Sequence, residues 1–440
     1  MTSSSSDAGS TDAVASARPC SLLDLPDELL SRVFKLVYAF ESDKRRRGLA
    51  VTLQRIRICQ RIYAIALPCW FEHVTFPEFR RTSGPSTDAF FGGLIEHSPH
   101  WSHVQSVNLR NVTDVPALTV GTLSAFPSLE SLTVTSGEVI PLRLVRAVAK
   151  IKTLRHLTLE GGCTAQHLDL RASSVRRLST VGNAALLRDG QASHLQELEV
   201  CAKDVRDYTM PWATLEVLRL PGNAQGYALV DGQGALRSSL EVATAGGTPL
   251  PLRVFELGVD PLPAAIEGYY AGQLSRTRSE QYALLYAVLK LAGPRHLKLS
   301  RNAHCPVAES NDSFPSVDTL EMDSSLALFQ GENLEGLATF LSHFPSLARL
   351  VLRGFRFHDT HTSLVADFVT MPTTKFGVRW PAFAAFLVSL THDSRVLDFE
   401  YCPPTGARWI RFMRHVAGEA FVPLPMWNLR HPDAHFCSPR

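Results

Sequence analysis

The stretch "LESLTV" at residues 129–134 returns 25 positions later as "LRHLTL" at residues 154–159. Each copy reads apolar, two other residues, apolar, one other residue, apolar. The same order occurs in four further copies: "VQSVNL" at 104–109, "VRRLST" at 175–180, "LQELEV" at 195–200 and "LEVLRL" at 215–220. The end points of these six copies lie 20 to 25 residues apart. A nearly fixed period of this length indicates a repeat architecture rather than a single compact core.

Each copy predicts one short strand, because its apolar residues alternate and therefore face one side of a sheet. One repeat cannot bury these side chains, but stacked neighbours can, and the strands then form a parallel sheet. Helix-compatible stretches such as "PLRLVRAVAKIKT" (141–153) and "LEGLATFLSHFPS" (334–346) separate the copies and should cover the convex side. Weaker copies of the strand pattern end at Val259, Leu299, Met322, Leu352 and Phe399.

The period resembles that of leucine-rich repeats, which implies a solenoid with the strands on its concave side. Three copies carry an asparagine three positions after the strand pattern, where it can bond free backbone groups: Asn183, Asn223 and Asn302. Three gaps of 39, 40 and 47 residues, within 221–298 and 353–398, predict degraded repeats or insertions. Residues 223–252, rich in Gly, Ala and Pro, predict an inserted loop, and residues 365–386 break the rhythm.

The stretch "LLDLPDELLSRVFKLVYAF" at residues 22–40 predicts a helix that is apolar on two sides. One stripe contains Leu25, Leu29, Val33 and Leu36, and the other contains Leu30, Phe34 and Val37. A surface helix needs only one apolar stripe. The second stripe is therefore expected to be covered either by another protein or by the downstream part of this chain.

A second helix is predicted over 49–67, ended by Pro68, and the short element "CWFEHVTF" (69–76) follows it. Three short helical elements in so few residues bury little apolar surface and are marginally stable alone. This arrangement, with its Leu-Pro start, resembles the F-box. The positions that match the family pattern are Leu25, Pro26, Leu29, Leu30, Val33, Phe34 and Cys59, and Tyr63 stands where the family often has Trp. The resemblance implies that these residues dock onto the Skp-type adaptor of a cullin–RING ubiquitin ligase.

The predicted fold class is α/β, with a small three-helix F-box-like module followed by an irregular leucine-rich-repeat solenoid. Its curved parallel sheet should carry helices on the convex side. The predicted division has four parts: a disordered tail (1–20), the helical module (21–78), the solenoid (79–425) and a C-terminal tail (426–440).

Composition argues against several function classes. The 440 residues carry a formal net charge of only +2, so neither a nucleic-acid nor a membrane partner is expected. No apolar run approaches the roughly 18 residues that span a bilayer. The eight cysteines are scattered without a C-x-x-C pair, and the polar N-terminus is not a secretory signal. These features predict free thiols and a cytoplasmic or nuclear location.

Enzyme signatures such as the G-x-S-x-G elbow and the P-loop are absent from the sequence, so we expect neither catalysis nor a cofactor. A hydrolase on this scaffold would require a deep pocket of titratable groups. Two histidine-containing stretches lack a full ligand set, so no metal is expected: "HSPHWSH" (97–103) and "HPDAHFC" (431–437). The run "KRRR" (44–47) is interpreted as solvated or as a nuclear-import signal.

The exposed strand positions predict a polar concave face suited to a protein ligand. Its candidate contact residues are Arg110, Glu160, Glu199, Arg219, Lys298, Glu321 and Arg353. The predicted function is substrate recruitment: the F-box-like module binds the Skp-type adaptor and the repeats bind an unidentified protein substrate. The alternative is a scaffold without a link to ubiquitin, in which the helices cap the solenoid. Capping would bury Leu29, Leu30 and Phe34 against residues 70–110, whereas docking would leave part of that set exposed.

Overall fold

A computed structural model places the repeats in one sheet. The residues it describes are 24–40, 59–76, 98–110, 123, 125–140, 142–148, 150–162, 170, 173–181, 194–200, 210–221, 230–258, 280–300, 312–323, 328–329, 337, 339–357, 396–401, 408–413 and 422–426. In this part of the chain the protein is α/β, with one large, mostly parallel sheet and few helices. That architecture confirms the predicted class and is compatible with a repeat solenoid.

The repeating pattern forms strands because its central apolar residues stack in register. Leu132 pairs with Leu157, which pairs with Leu178, and the same row continues through Leu198 and Leu218. All five side chains are buried. Since side chains alternate along a strand, the residues on either side of this row face away from the core. Those residues form the "open face" of the sheet.

The strands follow the chain in order. Their bounds are β1 His73–Thr75, β2 Ser106–Leu109, β3 Ser131–Val139, β4 His156–Gly162, β5 Arg177–Val181, β6 Glu197–Val200, β7 Val217–Leu220, β8 Val254–Gly258, β9 His296–Ser300, β10 Thr319–Asp323, β11 Leu328–Phe329, β12 Arg349–Phe357, β13 Val396–Tyr401, β14 Arg408–Met413 and β15 Val422–Met426. Neighbours from β1 through β13 pair in parallel, with β10 paired to β12 and the short β11 to β12 alone. β14 and β15 extend the sheet in antiparallel pairs. All eleven sequence copies of the strand pattern therefore contribute strands.

The described helices lie before and between the strands. Their bounds are α1 Asp27–Phe40, α2 Gln60–Phe71, α3 Leu142–Val148 and α4 Val230–Thr244. Residues 280–291 are also helical, and Ser98–His103 form a 3₁₀ turn. α3 lies within the predicted helical stretch 141–153. Within the described residues, no helix is long and apolar enough to cross a membrane.

The predicted end of the second helix is wrong. α2 continues through Pro68 to Phe71, and its start is capped by Cys59, whose sulfur accepts the Ile62 N–H at 3.4 Å. A proline removes one helical hydrogen bond but leaves its own carbonyl free, and that of Pro68 accepts the Glu72 N–H at 3.0 Å. Residues 49–58 lie outside the described residues.

The closing element of the predicted module is also different. Residues 69–76 complete α2 and then form β1, so the described part of 21–78 contains two helices and a strand instead of three helices. β1 pairs in parallel with β2, placing Val74 opposite Val107. Side chains of α2, such as Leu67 and Phe71, share one continuous core with the repeats. The predicted boundary between 78 and 79 therefore does not separate two cores among the described residues.

The predicted inserted loop at 223–252 is wrong over the span of α4. Leu236 and Leu240 are spaced one helical turn apart and are both buried, which gives this segment an inward face despite its glycines. The Trp212 indole N–H donates to Ser239 Oγ at 3.0 Å and ties α4 to the chain before it. Composition did not indicate this helix, because its Gly and Ala residues outnumber the few side chains that are buried.

In the described sheet, the strands on either side of each long gap in the repeat period are direct neighbours. β7 pairs directly with β8, β8 with β9, and β12 with β13. A repeat inserted in the same order would have to separate these neighbours. Of the described residues in these gaps, α4 lies in the first and the helical residues 280–291 lie in the second. Residues 365–386, Asn183, Asn223 and Asn302 lie outside the described residues.

Candidate functional site

α1 presents its two predicted stripes to different surroundings. Leu30 is 0 % exposed and Phe34 packs against the core, so these two residues of the second stripe face the interior. On the other side, Leu29 is 43 % and Leu36 is 57 % exposed. Together with the half-buried Val33 between them, these leucines form what we call the "apolar stripe". The downstream chain therefore covers one stripe and leaves the other open in the described structure.

Polar contacts fix the rotation of α1 about its axis. Near its start, the Arg61 guanidinium donates to Asp27 Oδ1 from Nη2 at 2.7 Å and from Nε at 3.0 Å. Further along the helix, Lys35 Nζ lies 2.7 Å from Glu72 Oε2. The hydrogen bond to Glu72 raises the pKa of Lys35. Since both contacts join α1 to α2 or the residue that follows it, the apolar stripe is held facing outward.

The remaining predicted adaptor-binding residues have mainly structural contacts. Pro26 is exposed, and its carbonyl accepts the N–H groups of Leu29 and Leu30. Leu25 is half-buried, and its carbonyl accepts from Arg61 at 2.8 Å. Cys59 caps α2 and Tyr63 packs on the core. Of the predicted adaptor-binding residues, Leu29 is the large apolar one whose side chain is most exposed. Leu36 is also exposed and belongs to the same predicted stripe, but it was not among the predicted adaptor-binding residues.

The sheet register brings four predicted ligand-binding residues into one row of the open face. Glu199 pairs with Arg219 across β6 and β7, and Lys298 pairs with Glu321 across β9 and β10. Glu256, which the sequence analysis did not select, completes the row between Arg219 and Lys298. The copy "VFELGV" places Glu256 third, whereas Arg219 is fifth in "LEVLRL", so the predicted alignment of these two copies is wrong by two residues. The register pairs Leu220 with Leu257, which makes "LRVFEL" (252–257) the equivalent copy.

The other three predicted residues belong to the next row along the strands. Glu160 accepts a hydrogen bond from Thr135 Oγ1 at 3.4 Å. Arg110 follows the last residue of β2, and Arg353 lies in β12 opposite Asp323. The structure therefore separates the predicted surface into two rows instead of bringing all seven residues to one point.

Charges in the main row neutralise one another. Glu256 is central: its carboxylate lies 2.9 Å from Lys298 Nζ and 3.8 Å from Arg219 Nε, and it accepts the Ser300 hydroxyl at 2.7 Å. Glu197 bridges Arg177 and Arg219, each at 3.4 Å. An ion-pair ladder thus runs from β5 to β9. Because Arg219 and Lys298 already have partners, this part of the open face offers few free charges to a ligand.

His296 and Glu321 lie beside the ladder in a more buried environment. His296 Nε2 lies 3.8 Å from Glu321 Oε2, whose side chain is almost fully buried. Burial lowers the pKa of His296, and the positive charges of Lys298 and Arg349 act in the same direction, opposed by Glu321 and Asp318. The imidazole is therefore neutral at pH 7, and the contact with Glu321 is not an ion pair at that pH.

The described residues offer no cluster of three or more His, Cys, Asp or Glu side chains that could hold a metal ion. Of the predicted histidine groups, His100 stacks on Phe71 with ring centroids 5.7 Å apart, which is a packing contact. His97, residues 431–437 and the basic run 44–47 lie outside the described residues. What the described surface does provide is two features suited to binding: the apolar stripe on α1 and the polar open face.

The chain matches no protein-family model, and a search of curated proteins likewise finds no match.

Proposed function

We propose that this chain is the substrate-recruiting subunit of a Skp–cullin–F-box ubiquitin ligase. The apolar stripe of α1 binds the Skp-type adaptor, and the repeat sheet binds a protein to be ubiquitinated. The chain itself makes and breaks no covalent bond. Its contribution is proximity, because tethering raises the local concentration of the substrate beside the ligase.

The observation that carries this proposal is the exposure of Leu29 and Leu36 on a helix that is otherwise anchored. Leu29 and Leu36 lie seven positions apart on the same side of α1, whereas Leu30, on the adjacent side, is buried. A purely internal helix gains nothing from a second apolar side, and exposed apolar side chains that share a surface favour a protein partner. The Leu-Pro start of the first helix and the order of the two helices resemble the F-box. This resemblance is the reason for expecting a Skp-type adaptor as the partner.

The capping scaffold is the second candidate, and a different observation favours it. The core is continuous from α2 through β12, and β1 pairs with β2 in the large sheet, which supports a capping role for the N-terminal segment. Capping accounts for Leu30 and Phe34. It does not account for Leu29 and Leu36, which is why we favour the adaptor-binding function.

The proposal is tested by calorimetric titration of the full chain with a purified Skp-type adaptor. Wild-type chain should bind, and the Leu29→Asp, Leu36→Asp double variant should bind at least about tenfold more weakly, because charges would occupy an apolar interface. The two positions are preferable to Phe34, since Phe34 packs on the core and its substitution would disturb folding.

A matched control is available on the covering helices. Val242 and Leu291 are the other large apolar side chains exposed in the described residues, at 77 % and 37 %. The Val242→Asp, Leu291→Asp variant makes the same chemical change away from α1 and should bind the adaptor like wild type. Equal loss in both variants, or no binding by folded wild-type chain, would overturn the adaptor proposal and leave the scaffold.

A further inference from the structure

A second surface lies along the edge of the sheet at which the parallel strands begin. The residue before each strand donates its backbone N–H to the equivalent residue of the previous repeat. Arg176 donates to the carbonyl of Arg155 at 2.8 Å, and Arg295 donates to that of Arg253 at 3.0 Å. The part of this series that runs from β3 to β10 is called the "edge column" and contains Glu130, Arg155, Arg176, Gln196, Glu216, Arg253, Arg295 and Asp318, with Gln105 before it and Ala348 after it. Their spacing is fixed by the backbone hydrogen bonds of the sheet.

Charges along the edge column are grouped. Two arginines, Arg155 and Arg176, are adjacent at β4 and β5, and a second adjacent pair, Arg253 and Arg295, lies at β8 and β9. Between the pairs, the column carries a glutamine and then Glu216. Read along the sheet, the column presents two positive positions, a neutral-to-negative interval and two more positive positions, with an acid at either end.

Three of the four arginines form no ion pair with another described residue, in contrast to the ion-pair ladder on the open face. Arg155, Arg176 and Arg295 are exposed, and none of the three forms an ion pair with another described residue. Arg253 lies 3.9 Å from Glu216 in a solvent-exposed contact of little strength. Like charges on adjacent strands destabilise a sheet. The repulsion within each pair of arginines therefore lowers the stability of the free protein. An anionic ligand that contacts both arginines of a pair would relieve that repulsion.

The grouping selects the kind of anion. A nucleic acid presents phosphates at short, regular intervals, and Glu216, with the terminal acids Glu130 and Asp318, would repel such a continuous polyanion. The centres of the arginine pairs are four strands apart, or roughly 19 Å at the usual spacing between strands. An extended peptide covers that distance in about six residues.

We propose that the edge column binds an extended acidic peptide segment with two carboxylate clusters about six residues apart. Each cluster pairs with one pair of arginines through charge-assisted hydrogen bonds, for which the planar guanidinium is well shaped. The interval beside Glu216 accepts neutral or basic residues. This proposal names the substrate class of the proposed ligase function and in that respect rests on it, although the peptide binding itself requires no adaptor.

The test uses the full chain alone and a fluorescein-labelled peptide of Glu-Glu, four alternating Gly and Ser residues, and Glu-Glu. Fluorescence anisotropy is measured at about 0.15 M salt, where charges more than roughly 8 Å apart are screened. Wild-type chain should bind this peptide more tightly than the version in which every Glu is Gln. The Arg155→Gln, Arg176→Gln variant should weaken binding about tenfold, as expected for losing one charge cluster.

The controls separate a specific site from general electrostatics. The Arg237→Gln, Lys290→Gln variant removes the same net charge from exposed positions on the covering helices and should bind the peptide like wild type. A peptide with adjacent Glu pairs should bind more weakly than the spaced one. The proposal is overturned if the two charge-removal variants weaken binding equally, if spacing has no effect, or if a single-stranded oligonucleotide binds more tightly. Because adaptor binding is measured separately, failure here leaves the adaptor proposal intact, and the converse also holds.

Discussion

At the scale of single residues, Leu29 and Leu30 are neighbours in sequence with opposite environments. The sequence predicted two apolar stripes on this helix but left open which one faces the solenoid. That choice depends on what the helix packs against, here α2, where Ser31 Oγ lies 3.3 Å from Cys69 Sγ, and such long-range contacts have no local pattern. The two leucines therefore offer a direct comparison of a packing role with a surface role.

We expect Leu30→Ala to destabilise the protein by about 2–5 kcal/mol, because it deletes buried atoms and leaves a cavity. Leu29→Ala should cost about 1 kcal/mol or less, since its side chain remains partly in water. Chemical denaturation of the two single variants measures this difference in the free energy of unfolding. Equal costs would mean that both stripes of α1 are buried in solution.

A second residue-scale prediction concerns pH. The pKa of His296 lies below its usual value of 6.5 in the folded protein. The unfolded chain therefore binds this proton more readily, and the contribution of His296 makes the free energy of unfolding fall as the pH drops below about 6.5. Nuclear magnetic resonance titration of His296 should give a midpoint below 6.5, and His296→Gln should make the loss of stability in acid less steep.

The matched control for this prediction is His156→Gln, because His156 occupies the equivalent position on β4 but is exposed. The effect specific to His296 is the difference in acid dependence between the two variants. The groups that surround His296 include Glu321 and Asp318 on β10 and the residue before it, Lys298 on its own strand and Arg349 on β12. A midpoint at or above 6.5 would show that the two carboxylates outweigh burial.

At the scale of elements, the strands were predictable because each copy repeats the same alternation of apolar residues. The elements that escaped prediction do not carry that pattern. β1 has three residues, and β15 contains Pro423 and Pro425 at alternate positions. Proline is tolerated in an outer strand because its missing N–H can face away from the neighbour. β15 pairs only with β14 in the described sheet, which fits this explanation.

The helical structure of α4 can be tested by substitutions on its two sides. Leu240 is fully buried on the inner side of this helix, whereas Arg237 forms a partly exposed pair with Glu241 at 3.5 Å. Leu240→Ala should cost about 2–5 kcal/mol and Arg237→Ala about 0.5 kcal/mol or less. Denaturation midpoints compare the two. A loop at this position, as composition alone suggested, would make both substitutions nearly neutral.

At the scale of the whole molecule, the two candidate binding surfaces are far apart in the strand order. The apolar stripe lies on α1, which packs at the β1 end, while the arginine pairs of the edge column begin three strands further on, at β4. Repeat proteins contact mainly their neighbours, so a substitution at one surface should leave the other unchanged. The exposed positions of each surface could be located in the sequence, but their grouping depended on strand order and register.

The most direct measurement is therefore a paired titration of adaptor and acidic peptide against three forms of the full chain. The forms are wild type, the Leu29→Asp, Leu36→Asp variant and the Arg155→Gln, Arg176→Gln variant. We expect the first variant to lose adaptor affinity and retain peptide affinity, and the second variant to show the reverse. The proposal that the chain joins two partners through separate surfaces is contradicted if the wild-type chain fails to bind the adaptor. It is also contradicted if each variant weakens both interactions equally.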